Sequence, residues 1–294
     1  MHPNPSIEPI AYLSSPNVKI DILRLDSIHP IVSGNKWFKL RYYLEEAIQK
    51  KATTLASFGG PFSNHLVALA FVAKENNLKS IGYVRSNEGE PITPTLQDAL
   101  NYGMELVFLG RGTFQEKKSA LFNDRIKNEL NRIYFIDEGG YGILGAKGAA
   151  TIMNEAALHY DYVVCAVGTG TMIAGLINAS LPNQKIIGVA VLKNEGSIYE
   201  EIKHIVDDPK KSFTLMHEFH QGGYAKTSIS QFEFMNELWE YAKIPTDIVY
   251  TSKVLMAVAQ LAKENYFAIN SKVLVIHSGG LQGNRSLSKG ILNY

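Results

Sequence analysis

Residues 162–175 read YVVCAVGTGTMIAG, and this stretch decides the fold class. Its first six residues are apolar without interruption, which is typical of a strand buried on both faces of a parallel sheet. A glycine-rich turn follows, and a helical pattern begins directly after it. Backbone N–H groups and the hydroxyls of Thr169 and Thr171 around a helix start favour a bound phosphate, although a turn without a ligand has the same outline. Met172 and Ile173 put the last glycine out of register for a dinucleotide, so the phosphate of a small cofactor fits better.

The same alternation of strand and helix runs along almost the whole chain. Strands are predicted at residues 18–25, 54–58, 80–84, 105–109, 133–136, 162–167, 186–191, 247–250 and 272–277. Helices are predicted at residues 39–47, 66–74, 119–130, 149–158 and 232–242. This succession predicts an α/β fold of open twisted parallel sheets with helices on both faces. A single Rossmann sheet is possible, but so many strands fit better into two domains, residues 1–48 with 146–294 and residues 49–145, with a site in the cleft between them.

Composition excludes several classes of function. Apolar residues make up 46% and charged residues 19% of the 294 residues, so the chain is not a disordered one. A formal net charge of +1 argues against a nucleic-acid or membrane-surface partner. The first residues lack a signal-peptide pattern, so we expect a cytoplasmic protein. Cys165 is predicted to be a buried structural residue. The sequence has no set of closely spaced Cys and His residues, so it does not predict a metal site.

A second stretch, residues 33–43 (SGNKWFKLRYY), places a lysine at an unusual position. Lys36 follows a Gly-Asn pair at the start of an amphipathic helix. A lysine held partly out of water at such a joint can lose its proton near neutral pH and become a nucleophile. Amines of this kind form Schiff bases with carbonyl compounds, including pyridoxal 5′-phosphate (PLP). On local grounds alone, a solvated lysine is the more common case.

Polar side chains also follow two other predicted strands. In residues 57–65 (SFGGPFSNH), two glycines allow a close backbone approach to a ligand. Ser63, Asn64 and His65 then stand beside a helix start, an arrangement that suits a carboxylate or another anion, with a simple helix cap as the alternative. The last predicted strand ends in the sequence HSGG, where the hydroxyl of Ser278 could hydrogen-bond a ring nitrogen of a flat ligand.

Together these segments resemble the PLP-dependent enzymes of the 1-aminocyclopropane-1-carboxylate (ACC) deaminase and D-cysteine desulfhydrase family. The family has the tryptophan-synthase-β-like fold, also called fold type II. The resemblance covers residues from about 30 to 285 and rests on five motifs in the same order. These are Gly34-Asn35-Lys36, Gly59-Gly60-x-x-Ser63-Asn64, Thr169-Gly170-Thr171, Tyr250-x-x-Lys253 and His277-x-Gly279-Gly280.

The resemblance implies that PLP is the cofactor and gives the matching residues roles in binding it. Lys36 matches the Schiff-base lysine, Asn64 the residue that bonds the 3-hydroxyl, and Ser278 the residue that faces the pyridine nitrogen. The phosphate would be held by the turn of Gly168, Thr169, Gly170, Thr171 and Met172.

The resemblance also implies roles toward the substrate. Ser63 would contact the substrate carboxylate or help to move a proton, while Tyr224 and Tyr250 match the family's two active-site tyrosines. His65 and Thr251 flank these residues and are predicted to contact the substrate. Lys39 matches a family lysine that does not form the Schiff base. The family likeness further implies a homodimer that acts on a small amino acid.

Three positions distinguish the two activities of the family. Ring-opening ACC deaminases carry Glu, Leu and Gln where this chain has Thr251, Ser278 and His65. The hydroxyl residues match the D-cysteine enzymes. A neutral hydroxyl at the pyridine nitrogen leaves a milder electron sink than a carboxylate would, and expelling a thiolate demands less of the cofactor than breaking a carbon–carbon bond. Trp37 departs from both activities and could reshape the pocket.

The sequence therefore predicts a PLP-dependent lyase or deaminase. D-cysteine desulfhydrase is the leading hypothesis, and ACC deaminase is the first alternative. A PLP-binding protein with little catalysis and a nucleotide-dependent oxidoreductase are further alternatives. The expected products from D-cysteine are pyruvate, sulfide and ammonia, and those from ACC are 2-oxobutyrate and ammonia.

Overall fold

The computed structural model of the chain describes residues 4–115, 132–193, 196–223 and 225–294. The chain forms two compact units. The large unit consists of Met1–Lys39 and Gly142–Tyr294, and the small unit consists of Leu40–Tyr141. The helix predicted at residues 119–130 and the tyrosine at position 224 lie outside the described residues. Among the described helices, none is long and apolar enough to cross a membrane.

The large unit is built on a sheet with six described strands. They are β1 (Ile7–Pro9), β2 (Val18–Arg24), β7 (Tyr162–Val167), β8 (Lys185–Ala190), β9 (Thr214–Met216) and β10 (Ser271–His277). The strand order is β1-β2-β10-β7-β8-β9. Neighbouring strands are parallel except for β1, which pairs antiparallel with β2 at the edge of the sheet.

Helices and short 3₁₀ turns connect these strands. The helices are α1 (Asn35–Gln49, whose first five residues belong to the large unit), α5 (Ile143–Ala150), α6 (Thr171–Ala179), α7 (Gly196–Lys203), α8 (Ile229–Ala242) and α9 (Thr251–Lys263). The 3₁₀ turns are Leu25–Ser27, Ala157–His159 and Leu281–Ser286.

Helices cover both faces of this sheet, as predicted. On β8, Ile187 and Val189 belong to a core cluster that contains Val254 of α9. Gly188 lies between them and therefore points to the opposite face. A Cβ at Gly188 would come within 2.6 Å of Ile173 on α6. Because both faces are buried, the strands need apolar residues at successive positions, which explains the uninterrupted run in β7.

Glycines allow three helices of the large unit to pack backbone to backbone. A Cβ at Gly148 of α5 would overlap the carbonyl oxygen of Phe38 in α1. A Cβ at Gly175 of α6 would lie 2.5 Å from the carbonyl oxygen of Ala146 in α5. Two helix backbones can approach this closely only where the residue at the contact is glycine, which has no side chain. The start of α1 is thereby fixed relative to α6, the helix that follows the glycine-rich turn.

The small unit has a fully parallel sheet of four described strands. They are β3 (Thr54–Gly59), β4 (Lys79–Arg85), β5 (Met104–Leu109) and β6 (Ile133–Ile136), in the order β5-β4-β3-β6. Its helices include α2 (Asn64–Glu75), α3 (Pro94–Asn101) and α4 (Arg111–Gln115), with a 3₁₀ turn at Glu138–Gly140. Aromatic residues fill part of its core, where the rings of Phe58, Tyr83 and Phe135 contact one another.

The α/β class with parallel sheets is confirmed, but two predicted elements are wrong. Residues 247–250 form a turn and not a strand, because the side chain of Asp247 accepts hydrogen bonds from the backbone of that turn. The helix predicted at residues 149–158 shares only two residues with the observed α5 (Ile143–Ala150), most of which was not predicted. Asn154 bonds the backbone N–H of Ala157 at 3.0 Å, and such local side-chain bonds compete with a helix. Strands β1 and β9, with three residues each, were not predicted.

Candidate active site

Lys36 is held at the edge of the sheet by the loop that precedes it. Gly34 has φ +68°, and a Cβ there would overlap the carbonyl oxygen of Ser278. That oxygen also accepts the backbone N–H of Asn35 at 3.1 Å, and the N–H of Gly34 bonds Leu25 at 2.6 Å. The close contact with the residues after β10 therefore requires glycine at position 34. Lys36 and Ser278, two predicted site residues, are brought to the same place.

The amine of Lys36 has the electrostatics of a nucleophile. Its Nζ donates to Asn35 Oδ1 at 2.8 Å. Burial lowers the pKa of Lys36 to about 8, and the negative charge of Asp247 opposes this change. Lys39, one turn further along α1, is buried, and burial together with the charge of Lys36 keeps its pKa well below the usual range. A lysine with a pKa near 8 is partly neutral at physiological pH, as a nucleophilic amine must be.

The glycine-rich turn after β7 forms an open cradle at the start of α6. Gly170 precedes α6 with φ +78°, and no described side chain caps this end of the helix. A Cβ at Gly170 would lie 2.6 Å from Ile202, so the turn is tightly enclosed on that side. Thr169 and Thr171 place their Oγ1 atoms 3.1 Å apart. Backbone N–H groups and two hydroxyls at a helix N-terminus are the donors that a phosphate needs.

Asn35 links the lysine segment to this turn. Its Nδ2 donates to the sulfur of Met172 at 3.4 Å, while its Oδ1 accepts from Lys36. Asn35 is buried, so these contacts are shielded from water. The predicted lysine and the predicted phosphate turn therefore belong to one site within the large unit.

Tyr250 lies against the same turn. A Cβ at Gly168 would be 3.3 Å from the Tyr250 ring, so the ring packs closely against the backbone of the turn. Thr251, the next residue, is buried, and its hydroxyl donates to Asp247 Oδ1 at 2.7 Å and accepts the N–H of Asp247 at 2.7 Å. The hydroxyl of Thr251 is thus engaged within the chain, whereas Tyr250 is only half-buried.

The end of β10 is fixed by a hydrogen-bonded network of ionisable side chains. His277 Nε2 is 2.6 Å from the carbonyl oxygen of Pro245, and its Nδ1 is 3.4 Å from Asp26 Oδ1. Arg24 binds both carboxylate oxygens of Asp26, at 2.9 and 2.7 Å. Burial alone would raise the pKa of Asp26, but Arg24 and His277 hold it below the usual range. Ser278, which follows β10 and is buried, therefore stands on a rigid support.

The small unit carries the other predicted residues on the turn between β3 and α2. Ser63 caps α2 by accepting the N–H of Leu66 at 3.3 Å. His65 is buried, with Nε2 2.8 Å from the hydroxyl of Ser57. Asn64 Oδ1 is a buried oxygen without a hydrogen-bond partner among the described residues. Buried polar atoms are rarely left unpaired, so this oxygen marks a place where a ligand can bind.

Sequence reasoning missed two residues near these turns. The turn that carries Tyr250 is held by Asp247, which no motif had singled out. Arg85 ends β4, and its Nη2 would lie 3.7 Å from a Cβ at Gly60. The sequence signal for Arg85 was a basic residue directly after the predicted strand at residues 80–84, at the end of a parallel strand where open α/β sheets bind ligands.

The residues present fit PLP. The large unit offers an amine of lowered pKa, a helix start without a side-chain cap beside two threonine hydroxyls, and a hydroxyl residue after β10. The small unit offers the unpaired oxygen of Asn64. Among the described residues there is no cluster of His, Cys, Asp and Glu that could hold a metal ion.

Comparison with known proteins also indicates PLP as the cofactor. The model of a family described as pyridoxal-phosphate dependent enzyme matches residues 7–279. A putative ACC deaminase of Thermotoga maritima is 31% identical over 284 residues, which cover 90% of this chain and 89% of that protein. A D-cysteine desulfhydrase of Klebsiella pneumoniae is 26% identical over 291 residues, which cover 89% of this chain and 87% of that protein. The solved structure of an ACC deaminase homologue has the same fold, with a TM-score of 0.84, 23% identity and coverage of 96% of this chain and 90% of its own.

Proposed function

This chain belongs to the pyridoxal-phosphate dependent enzymes, in the group of the ACC deaminases and D-cysteine desulfhydrases, and we propose that it catalyses β-elimination from D-cysteine. It is a PLP-dependent lyase or deaminase of fold type II. The observation that carries the proposal is the amine of Lys36, with a pKa near 8, beside a phosphate cradle and a hydroxyl residue at the end of β10.

The proposed site residues of the large unit hold the cofactor and move protons. Bound PLP supplies an electron sink that stabilises negative charge on the α-carbon of the substrate. Lys36 holds the cofactor and, once free, moves the α-proton, for which an amine titrating near neutral pH is suited. The turn at residues 168–172 would bind the phosphate of the cofactor, and Ser278 would bond its pyridine nitrogen. Tyr250, which lies against that turn, protonates the leaving thiolate, alone or with Tyr224.

The small unit contributes residues to binding. Asn64 offers its unpaired oxygen to the 3-hydroxyl of the cofactor. Ser63 and the first N–H groups of α2 bind the substrate carboxylate, since a helix N-terminus favours an anion. His65 supports this turn through Ser57, at a position where ring-opening ACC deaminases carry Gln.

D-cysteine is favoured because the residue after β10 is a serine. A neutral hydroxyl does not enforce protonation of the pyridine ring, so it provides only the milder electron sink that thiolate loss requires. Thr251 is the second hydroxyl residue that points to this substrate. In addition, we propose a cytoplasmic homodimer, on the family likeness.

ACC is the second candidate substrate. The observation in its favour is that the 31% identical relative from Thermotoga maritima is called a putative ACC deaminase. The products separate the two reactions, because D-cysteine gives sulfide and pyruvate whereas ACC gives 2-oxobutyrate.

A screen of the purified holoenzyme with D- and L-amino acids and ACC tests the proposal. We expect sulfide and pyruvate from D-cysteine, with a kcat/KM at least about tenfold above that for ACC. Borohydride should attach the cofactor covalently to Lys36. Lys36→Ala should abolish turnover, whereas Lys50→Ala, a change at an exposed lysine just after α1, should leave it intact. Faster turnover of ACC, or full activity in Lys36→Ala, would refute the assignment.

A further inference from the structure

Asp247 has no place in any motif, yet its carboxylate is fully buried beside the active-site turn. We propose that Asp247 is a positioning residue for the reaction, which holds the hydroxyl of Tyr250 where it can protonate the leaving group. The inference rests on the proposed function, because that function gives Tyr250 its role as the acid.

All four hydrogen-bonding positions of the carboxylate are filled from one turn. Oδ2 accepts the N–H groups of Val249 and Tyr250, each at 2.8 Å. Oδ1 accepts the N–H of Thr251 at 2.9 Å and its hydroxyl at 2.7 Å. A carboxylate offers about four acceptor sites, so none remains for a substrate. Asp247 therefore acts through the backbone of residues 249–251 and not by touching the reactants.

The turn fixed in this way carries Tyr250 to the phosphate cradle. The backbone of Tyr250 is bonded on its N–H side to Asp247, and its ring lies against Gly168. Two further bonds brace the turn: the hydroxyl of Ser252 donates to the Asp247 carbonyl oxygen at 2.7 Å, and Gln231 donates to the carbonyl oxygen of Ile248 at 2.8 Å. A side chain supported from both ends of its turn is held to within the small tolerance that proton transfer needs.

Charge explains why an aspartate, and not a neutral residue, occupies this place. Burial raises the pKa of Asp247, and the hydrogen bonds from residues 249–251 oppose that effect. The nearby amines of Lys36 and Lys253 compensate the buried charge. Lys253 is itself buried and donates to the carbonyl oxygens of His220 and Gly223, at 2.8 and 2.7 Å. Asparagine at position 247 would present a donor in place of one oxygen, so it could keep only two of the four bonds.

A double-mutant cycle on the holoenzyme tests the proposal. Tyr250→Phe should lower kcat about 100-fold, as removal of a general acid does. Asp247→Asn should lower kcat about tenfold or more, with KM changed by less than about threefold, because only transition-state interactions are lost. If Asp247 acts through the Tyr250 hydroxyl, the double variant should be no slower than Tyr250→Phe. A loss equal to the product of the two single losses would overturn the proposal.

Two matched threonine variants keep the test decisive if Asp247→Asn does not fold. Thr251→Val removes one bond to the carboxylate, whereas Thr246→Val makes the same change at a buried residue whose hydroxyl is 3.3 Å from Tyr294. Thr251→Val should lower kcat and show no additional effect in the Tyr250→Phe background. Thr246→Val should leave kcat unchanged. Equal kcat in both threonine variants would overturn the proposal.

A readout without substrate separates this inference from the assigned reaction. Hydrogen exchange at residues 249–251 should quicken in Asp247→Asn and Thr251→Val but not in Thr246→Val. The circular dichroism of the bound cofactor should change in the same two variants, since the Tyr250 ring moves relative to the cradle. If D-cysteine and ACC are both inert, the proposed function fails, while these spectra still test Asp247. Faster exchange with an unchanged cofactor spectrum would show that Asp247 stabilises the turn only, and would overturn the proposal.

Discussion

The reactivity of Lys36 comes from its surroundings, which lower the pKa of an amine that is fully charged on most protein surfaces. The amine is half-buried, its partner is a neutral amide, and a second buried lysine lies one turn away. Burial penalises the charged form of the Lys36 amine and lowers its pKa, and the charge of Lys36 in turn lowers the pKa of Lys39. Asp247 limits the effect, so the pKa stays near 8 and the amine can both give and take a proton near neutral pH.

The lowered pKa predicts how stability depends on pH in the cofactor-free protein. Because the pKa of Lys36 is about 8 in the folded state, against roughly 10.4 for an unperturbed lysine, the unfolded chain binds more protons between these values. Lys36 therefore lowers the free energy of unfolding by its full amount below pH 8, and this destabilisation disappears as the pH rises to about 10. Lys36→Met should unfold at higher urea concentration than the parent at pH 7, with an advantage that shrinks between pH 8 and 10.

Removing Lys36 also raises the pKa of Lys39, which strengthens the effect in the same direction. Lys50→Met, at an exposed lysine, is the control and should show no such trend. An advantage of Lys36→Met that stays constant or grows with pH would contradict the prediction.

Single residues were predictable where a motif named them, and not where their role comes from contacts. Lys36 and the turn at residues 168–172 follow from strand, glycine and helix patterns. Asp247 looked like part of a strand in the sequence, because the sequence does not show that its carboxylate accepts the N–H groups of the residues after it. Thr251 was identified, but its burial and its bonds to Asp247 could not be foreseen.

At the scale of elements, the active site depends on how loops meet helix starts. The loop before α1 contacts the residues after β10, and α6 begins at an open turn. Long apolar strands were predicted to within one or two residues. The three-residue strands β1 and β9 were not, because so short a run carries no periodic pattern. Helix α5 was predicted too far along the chain, over residues where Asn154 instead accepts the backbone N–H of Ala157.

Gly34→Ala tests the contact between the lysine loop and β10. A Cβ there would overlap the Ser278 carbonyl oxygen, and φ is +68°. Gly290→Ala is the matched control, since φ is +87° and nothing lies within 4 Å of the added Cβ. The control should cost about 1 kcal/mol of unfolding free energy, from backbone strain alone. Gly34→Ala should cost more than about 2 kcal/mol and weaken cofactor binding. Denaturation and cofactor absorbance measure both, and equal behaviour of the two variants would refute the contact's importance.

Arg85 tests the anion site of the small unit. Its guanidinium lies beside the Gly60 turn, next to the N-terminus of α2, and both favour a carboxylate. Arg85→Gln should raise KM about three- to tenfold with little change in kcat, because it removes binding that substrate and transition state share. Lys79→Gln removes an exposed charge at the other end of β4 and should leave KM unchanged. If Arg85→Gln has the same KM as the control Lys79→Gln, Arg85 does not bind the substrate.

At the scale of the whole molecule, two sheets with separate cores share one chain. The lysine and the phosphate cradle lie in the large unit, and Asn64 lies in the small unit. The sequence predicted two domains from the number of strands, and it predicted from family likeness that residues of both act on one cofactor. The first prediction follows from periodic patterns, whereas the second depends on long-range geometry that no local pattern contains.

Cofactor removal therefore tests the molecule as a whole. PLP at about 100 times its dissociation constant should stabilise the folded state by about 2.7 kcal/mol. For a chain of 294 residues, with an unfolding entropy of about 2.1 cal/mol/K per residue, that corresponds to a rise in Tm of roughly 4 °C. Lys36→Met keeps the phosphate cradle and should show a smaller rise. Hydrogen exchange then locates the protection. We expect slower exchange at residues 168–172 and also at residues 59–64, because Asn64 is proposed to bind the 3-hydroxyl. Protection confined to the large unit would remove Asn64 from the site while leaving the role of Lys36 intact.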